Sequence, residues 1–128
     1  MKPDLHKIIV FENGDITKME PGHITISTEV VESSLNLYGK AHGGYLFTLC
    51  DQAAGLVAIS LGSYAVTLQS SINYLKPGEL GSSLVIDATC SHDGKHTKIV
   101  EVTITNETGE LLTKATFTMF VTGKVQNR

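Results

Sequence analysis

The sequence predicts an α+β domain in which one long helix packs against a run of antiparallel strands. Residues 43–62 form an almost uninterrupted apolar run that begins with two glycines and ends at Gly62, as a buried helix would. On both sides of this run apolar and polar residues alternate, which is typical of strands. A helix that is apolar nearly all round has to be covered, so we expect the sheet to curl around it or a second subunit to cover the remainder.

The composition indicates one domain spanning residues 1–128. The chain carries 10 Lys and Arg against 13 Asp and Glu, a net charge of −3, which argues against a nucleic-acid partner. Asp51 and Gln52 interrupt the apolar run at its middle, which argues against a membrane span. Two cysteines and the absence of an apolar leader favour a reducing, cytoplasmic location.

The elements follow from the pattern in chain order. Residues 1–20 are weakly patterned and are predicted to be an arm or a short helix. Alternation from Gly22 to Val30 predicts a strand, and residues 33–41 read as a loop into the helix. Strands are predicted over 64–75, 84–91, 98–105 and 111–121, with a two-residue hairpin turn at Asp93-Gly94 and a second tight turn over 106–109. Residues 123–128 form a polar tail.

The start of the predicted helix is the first candidate site. The sequence His42-Gly43-Gly44 leaves unpaired backbone N–H groups at the positive end of the helix dipole, where glycines admit a ligand closely. Such a terminus can hold a phosphate or polarise a carbonyl oxygen as an oxyanion hole. The plain alternative is a tight turn that needs glycine for steric reasons.

Asp51 is the second candidate, because an isolated acid in an apolar helix is either a structural hydrogen-bonding partner or a functional group. It lies eight residues after Gly43, which is about 12 Å along a helix that rises ~1.5 Å per residue. An acid that far away cannot act on a carbonyl held at its own helix terminus. If the two cooperate, the site has to be shared across a two-fold homodimer.

The residues Asn36-Leu37-Tyr38-Gly39-Lys40-Ala41-His42-Gly43-Gly44, followed by Asp51, resemble the signature of hotdog-fold acyl-CoA thioesterases of the PaaI-like branch. The resemblance runs from about Gly22 to Val121 and includes Tyr74-Leu75-Lys76-Pro77. It implies a hotdog fold, a long central helix wrapped by a curved antiparallel sheet of five or six strands. It also implies homodimers that pair into tetramers, an acyl-CoA substrate, and no further cofactor or metal.

The resemblance also implies roles for individual residues. Gly43 N–H would polarise the thioester carbonyl, His42 would fix the loop, and Asn36 would orient the water or the carbonyl. Asp51 of the partner subunit would be general base or nucleophile, with the Thr67 hydroxyl holding the water; Ser70 and Ser71 lie near enough in sequence to compete for that last role. Coenzyme A would be bound by Gly44, Lys76, Lys95, His96 and Lys98.

Other readings compete with these assignments. The cationic hairpin around Lys95 could be ordinary solvated surface, and His92 with His96 lacks a third ligand for zinc. Cys50 adjoins Asp51 but points about 100° away from it on a helix, so we interpret it as core rather than as a nucleophile. A non-catalytic acyl-CoA binding or sensing module is the main functional alternative, and a hydratase is a weaker one.

Overall fold

The computed structural model describes residues 14–126, and these form one helix and six strands. The strands are β1 (Asp15–Glu20), β2 (His23–Glu29), β3 (Ser63–Tyr74), β4 (Ser83–Asp93), β5 (Thr97–Thr105) and β6 (Leu111–Lys124). The helix α1 spans Gly43–Ser60, and a single 3₁₀ turn over Glu32–Ser34 precedes it. The prediction of a long helix against antiparallel strands is confirmed.

The six strands form one antiparallel sheet in the order β1-β2-β4-β5-β6-β3. Every strand contacts α1, so the sheet curves around the helix. Strand β3, which directly follows the helix, pairs with β6 on one side only and forms one end of the sheet. Among residues 14–126 no strand pairs with its other edge, so that edge can pair with another chain.

The core lies between the concave face of the sheet and one side of α1. Alternating residues of β2, β4 and β5 point inward, for example Ile24 and Ile26, and they are fully buried. The ring of Phe117 on β6 meets Phe47 on α1 with their centroids 5.5 Å apart. The helix keeps a partly exposed stripe at helical spacing, which includes Thr48, Asp51 and Gly55. Asp51 is thus half-buried, because the sheet covers only one side of the helix.

Several element boundaries differ from the sequence prediction. Residues 15–20, expected in an arm or a short helix, pair with β2 as an edge strand; residues 1–13 lie outside the described part, as do 127 and 128. Strand β6 continues to Lys124, into the segment expected to be a tail. The β4–β5 hairpin connection is three residues long, 94–96, rather than two. The last residue pair of this ladder is Asp93 with Lys98, whose side chain is buried, and Gly94 N–H donates to the Thr97 carbonyl at 2.9 Å.

The helix ends where the sequence predicts. Gly62 adopts φ +88°, a left-handed conformation that glycine accepts readily, and its carbonyl accepts a hydrogen bond from Val125 N–H at 2.9 Å. No helix within residues 14–126 combines the length and the apolarity needed to cross a bilayer.

Candidate active site

The loop before the helix is organised by the side chain of Asn36. Its Oδ1 accepts hydrogen bonds from the backbone N–H groups of Tyr38, at 2.9 Å, and Lys40, at 3.1 Å. The backbone N–H of Asn36 donates to the Lys40 carbonyl at 2.6 Å, which closes the loop. Both side-chain bonds use Oδ1, so the Nδ2 amide is the group that Asn36 can offer to a ligand.

The helix start presents its first backbone amides without a side-chain cap. His42 is the N-cap residue, its imidazole makes no capping hydrogen bond, and its backbone N–H donates to the Ser34 carbonyl at 2.8 Å. The N–H groups of Gly43 and Gly44 are among the first of the helix and have no i−4 carbonyl to bond. They lie at the positive end of the helix dipole and can donate hydrogen bonds to an anionic oxygen.

A groove opens beside this helix start. It has a volume of about 400 Å³ and is lined by residues of the 36–43 loop, by Leu46, and by residues 74–77. Asn36, Gly43 and Lys76, all predicted site residues, lie on its wall. Neither Asp51 nor Thr67 is among the lining residues. Within one chain, the groove and the acid are therefore separate.

Tyr74, which the resemblance includes in the segment Tyr74-Leu75-Lys76-Pro77 without a catalytic role, has its side chain directly against Gly43. The phenol O–H donates to the Gly43 carbonyl at 3.0 Å. A Cβ added to Gly43 would lie 3.3 Å from Tyr74 Cζ, so the ring occupies the space that a side chain at 43 would need. The signal that could have found this contact is the position of Tyr74 at the end of β3, just before the Lys76-Pro77 turn.

The carboxylate of Asp51 is held by one hydroxyl. Thr67 Oγ1 on β3 donates to Asp51 Oδ1 at 2.5 Å and lies 3.6 Å from Met119 Sδ. Of the three neighbouring hydroxyl residues, Thr67, Ser70 and Ser71, the structure thus brings Thr67 to the acid. The bond fixes one carboxylate oxygen and leaves Oδ2 for a second partner, such as a water molecule.

Cys50 is fully buried next to Asp51. Burial, with the neighbouring Asp51 carboxylate, raises the pKa of the Cys50 thiol to about 12. Because the thiolate is the nucleophilic form, this thiol is chemically quiet at neutral pH.

The predicted coenzyme A cations fall into two groups. Lys95 and His96 lie exposed at the tip of the β4–β5 hairpin. Lys98 is buried, and its ammonium pairs with the Asp93 carboxylate and the Gly94 carbonyl. Lys76 is exposed and pairs with Glu110 at 2.6 Å. A phosphate could therefore meet Lys95 and His96 directly, whereas Lys76 would have to exchange partners and Lys98 would have to leave its buried pair.

A metal centre finds no support in the described residues. Across 14–126 no three His, Cys, Asp or Glu side chains cluster closely enough to hold an ion. His92 and His96 both lie at the β4–β5 hairpin, but within the described residues they are not part of a three-residue cluster that could hold a metal.

Comparison with known proteins identifies the family. The thioesterase superfamily model matches residues 38–113, which include the helix start, Asp51 and Thr67. The chain belongs to the thioesterase superfamily. Membership in this family of hydrolases, together with the single helix inside a six-stranded antiparallel sheet, confirms the predicted hotdog thioesterase fold.

Two solved structures of this thioesterase fold are similar over nearly the whole chain. The smu.793 protein of Streptococcus mutans UA159, bound to acetyl CoA, is 62% identical, with a TM-score of 0.92, over 97% of this chain and 100% of that one. A hypothetical thioesterase of Streptococcus pneumoniae TIGR4, with coenzyme A, is 60% identical, with a TM-score of 0.89, over 91% of this chain and 94% of that one. The pneumococcal protein was also crystallised as a Thr→Ala and as an Asp→Ala variant.

A curated relative supports the predicted branch. The acyl-coenzyme A thioesterase PaaI of Escherichia coli strain K12 is 34% identical over 93 residues, which cover 73% of this chain and 66% of that protein. The chain thus matches just under two thirds of the length of this PaaI protein.

The buried thiol gives a direct chemical prediction. In the folded protein at pH 8, we expect iodoacetamide to leave Cys50 unmodified, because the thiol is buried and its pKa of about 12 keeps it protonated. Mass spectrometry of tryptic peptides, with and without denaturant, measures this. Rapid labelling of Cys50 in the native protein would contradict its assignment to the core.

Proposed function

We propose that this chain is an acyl-CoA thioesterase that hydrolyses its substrate to a free acid and coenzyme A. The observation that carries the proposal is that one helix bears both uncapped amides, at Gly43 and Gly44, and a carboxylate anchored by a hydroxyl, at Asp51. The relatives support the substrate class, since two were solved with acetyl CoA or coenzyme A and one is named as an acyl-CoA thioesterase. Asp and Thr are also the residue types altered in the pneumococcal variants.

The proposed reaction uses Asp51 as general base. Its Oδ2 takes a proton from a water molecule as the water oxygen bonds to the thioester carbon. The negative charge that develops on the carbonyl oxygen is stabilised by the N–H groups of Gly43 and Gly44. The tetrahedral intermediate then expels the coenzyme A thiolate, which needs little acid assistance, and the proton held by Asp51 returns to the thiolate. In the alternative, the Asp51 carboxylate attacks the thioester carbon, the C–S bond breaks and the coenzyme A thiolate leaves, and water then hydrolyses the mixed anhydride to the free acid and the Asp51 carboxylate.

Supporting residues complete the proposed machinery. Thr67 orients the carboxylate through its 2.5 Å hydrogen bond, and the Nδ2 amide of Asn36 can donate to the carbonyl or to the water from the groove wall. His42 adjoins the amides as N-cap and shapes their approach.

The active site is proposed to be composite, with amides from one subunit and the acid from its partner. Eight residues of helix separate Gly43 from Asp51, and the groove at the helix start does not include the acid. The unpaired edge of β3 offers the contact, because a second copy can pair with it antiparallel across a two-fold axis. Val66 and Leu68 on that strand are 55% and 62% exposed, and a partner subunit would cover them. We expect these dimers to pair further into tetramers.

The proposed coenzyme A contacts lie at the tip of the β4–β5 hairpin and beside the groove. Lys95 and His96 on the hairpin tip would meet phosphates, and Lys76 and Gly44 would face the pantetheine arm near the groove. Both cysteines are unpaired thiols, in keeping with the cytoplasm, where we propose that the protein works.

Replacing the acid tests the proposed activity. Asp51→Asn should reduce kcat for acyl-CoA hydrolysis by about 10²- to 10⁴-fold, because it removes the base while keeping the side-chain shape. Thiol release from a panel of acyl-CoAs measures kcat, and isothermal titration with coenzyme A checks that binding survives. Cys50→Ala, one residue away, is the matched control and should keep kcat within a few-fold. A variant as active as the parent would remove Asp51 from the mechanism; coenzyme A binding by a parent protein that releases no thiol would favour the binding-module alternative.

Mixing two inactive variants tests the shared site. In the Asp51→Asn homodimer every site lacks the acid. In the Gly43→Val homodimer every site lacks properly placed amides, because the valine side chain would meet the Tyr74 ring. A heterodimer should contain one site with both halves intact, so co-expression with two different tags should restore up to half of the parent activity per dimer. If purified heterodimers stay as inactive as the homodimers, the two halves come from the same chain.

The hairpin cations generate a prediction about KM. Lys95→Ala combined with His96→Ala should raise KM for acyl-CoA several-fold and leave kcat unchanged, because the phosphates are remote from the reacting carbon. Lys114→Ala, a change at an exposed lysine on β6, is the control. An acyl-pantetheine substrate, which lacks the nucleotide phosphates, should show no difference between variant and parent. A fall in kcat at constant KM would place these residues outside the coenzyme A site.

A further inference from the structure

Tyr74 is held against the helix start by the sheet. It is the last residue of β3, and the next two residues, Leu75 and Lys76, donate their backbone N–H groups to the Leu112 carbonyl at 2.7 and 3.2 Å. The phenol oxygen therefore reaches the Gly43 carbonyl, 3.0 Å away, from a strand end that is tied to β6. Half of the side chain stays exposed and lines the groove.

The hydroxyl is available as a donor throughout the neutral range. Burial of part of the side chain, and secondarily the nearby Cys50, raise the pKa of the Tyr74 phenol above its usual value near 10. The phenol is thus protonated at neutral pH. Its proton points to a carbonyl oxygen, which can only accept.

The accepting carbonyl belongs to the same peptide group as the Gly44 N–H. A donor at the carbonyl oxygen draws electron density from the amide nitrogen, so the N–H at the other end becomes a stronger donor. The preceding peptide group, which joins the His42 carbonyl to the Gly43 N–H, has a similar arrangement. Its carbonyl accepts a hydrogen bond from Leu46 N–H at 3.1 Å. The amide of Gly44 has in addition a side-chain donor behind it.

The ring also restricts how the two glycines can move. With Tyr74 Cζ at 3.3 Å from the place of a Gly43 Cβ, the ring packs against the backbone of the residue that it polarises. Gly44 has no neighbour within 4 Å of the corresponding position, so its outer side is open to a ligand. The backbone is supported on the Tyr74 side and free on the other.

We propose that Tyr74 is a positioning residue for hydrolysis, whose hydroxyl aligns and polarises the Gly43–Gly44 peptide group so that the Gly44 N–H stabilises the oxyanion. This assignment rests on the proposed thioesterase function. The assignment adds to the proposed machinery a residue outside the helix and its preceding loop. It also gives a reason for a tyrosine rather than a phenylalanine at this end of β3.

The test is Tyr74→Phe, which removes the hydroxyl and keeps the ring. We expect kcat to fall about 3- to 10-fold, the range that one net hydrogen bond spans, at unchanged KM and unchanged melting temperature. Tyr64→Phe, at an exposed position near the beginning of the same strand, is the matched control and should change neither parameter. Unchanged kcat in Tyr74→Phe, or an equal loss in Tyr64→Phe, would overturn the assignment.

A spectroscopic measurement separates this assignment from the proposed activity. Acetyl-CoA labelled with ¹³C at the carbonyl is bound to Asp51→Asn, and its infrared C=O stretch is compared with that in Asp51→Asn/Tyr74→Phe. Loss of the hydroxyl should move the band to higher wavenumber, since a weaker donor polarises the carbonyl less. An unmoved band would refute the role of Tyr74 even if Asp51 is catalytic. A shifted band would uphold that role even if the parent protein released no thiol, in which case the proposed hydrolysis alone would fail.

Discussion

The rise of an α-helix, ~1.5 Å per residue, is the constraint on which the rest of this structure depends. It places the amides of Gly43 and the carboxylate of Asp51 two turns apart on one rigid element, so that one chain cannot direct both groups at the same atom. The Gly43 amide lies at a helix terminus without a side-chain cap, and the Asp51 carboxylate accepts a hydrogen bond from Thr67. In the proposed mechanism, these two groups form a complete site only when a second copy of the chain supplies the other one.

The sheet makes this arrangement possible by what it covers and by what it leaves open. It buries one side of α1 and leaves the stripe with Thr48, Asp51 and Gly55 partly exposed. The strand that presents Thr67 to the acid and Tyr74 to Gly43 is the same strand, β3, and it is an end strand with a free edge. Strand β3 therefore links the acid, the amides and the surface on which a partner could dock.

The sequence was informative wherever a local rule acts alone. The apolar run and Gly62 indicated the helix and its end, and the alternation of apolar and polar residues indicated the strands after it. Residues 15–20 escaped prediction because an edge strand is defined by its neighbour β2 and has only partly buried side chains of its own. The site shows the same division: Gly43 and Asp51 are visible as motif residues, while the contact between Tyr74 and Gly43 depends on how a strand end meets a helix start 31 residues away. The burial of Lys98 and its ion pair with the exposed Asp93 could likewise not be predicted, since a lysine in a charged hairpin is typical of the surface.

In the proposed composite site, one chain's acid acts on a carbonyl held by its partner's amides. The most direct measurement is a crystal structure of the assembly with a non-hydrolysable acyl-CoA analogue in which a methylene replaces the thioester sulfur. We expect the analogue carbonyl to lie within ~3 Å of Gly43 N–H of one subunit, with Asp51 of the other within reach through one water molecule. A carbonyl bound at the helix start with no carboxylate from the second subunit near it would contradict the composite site.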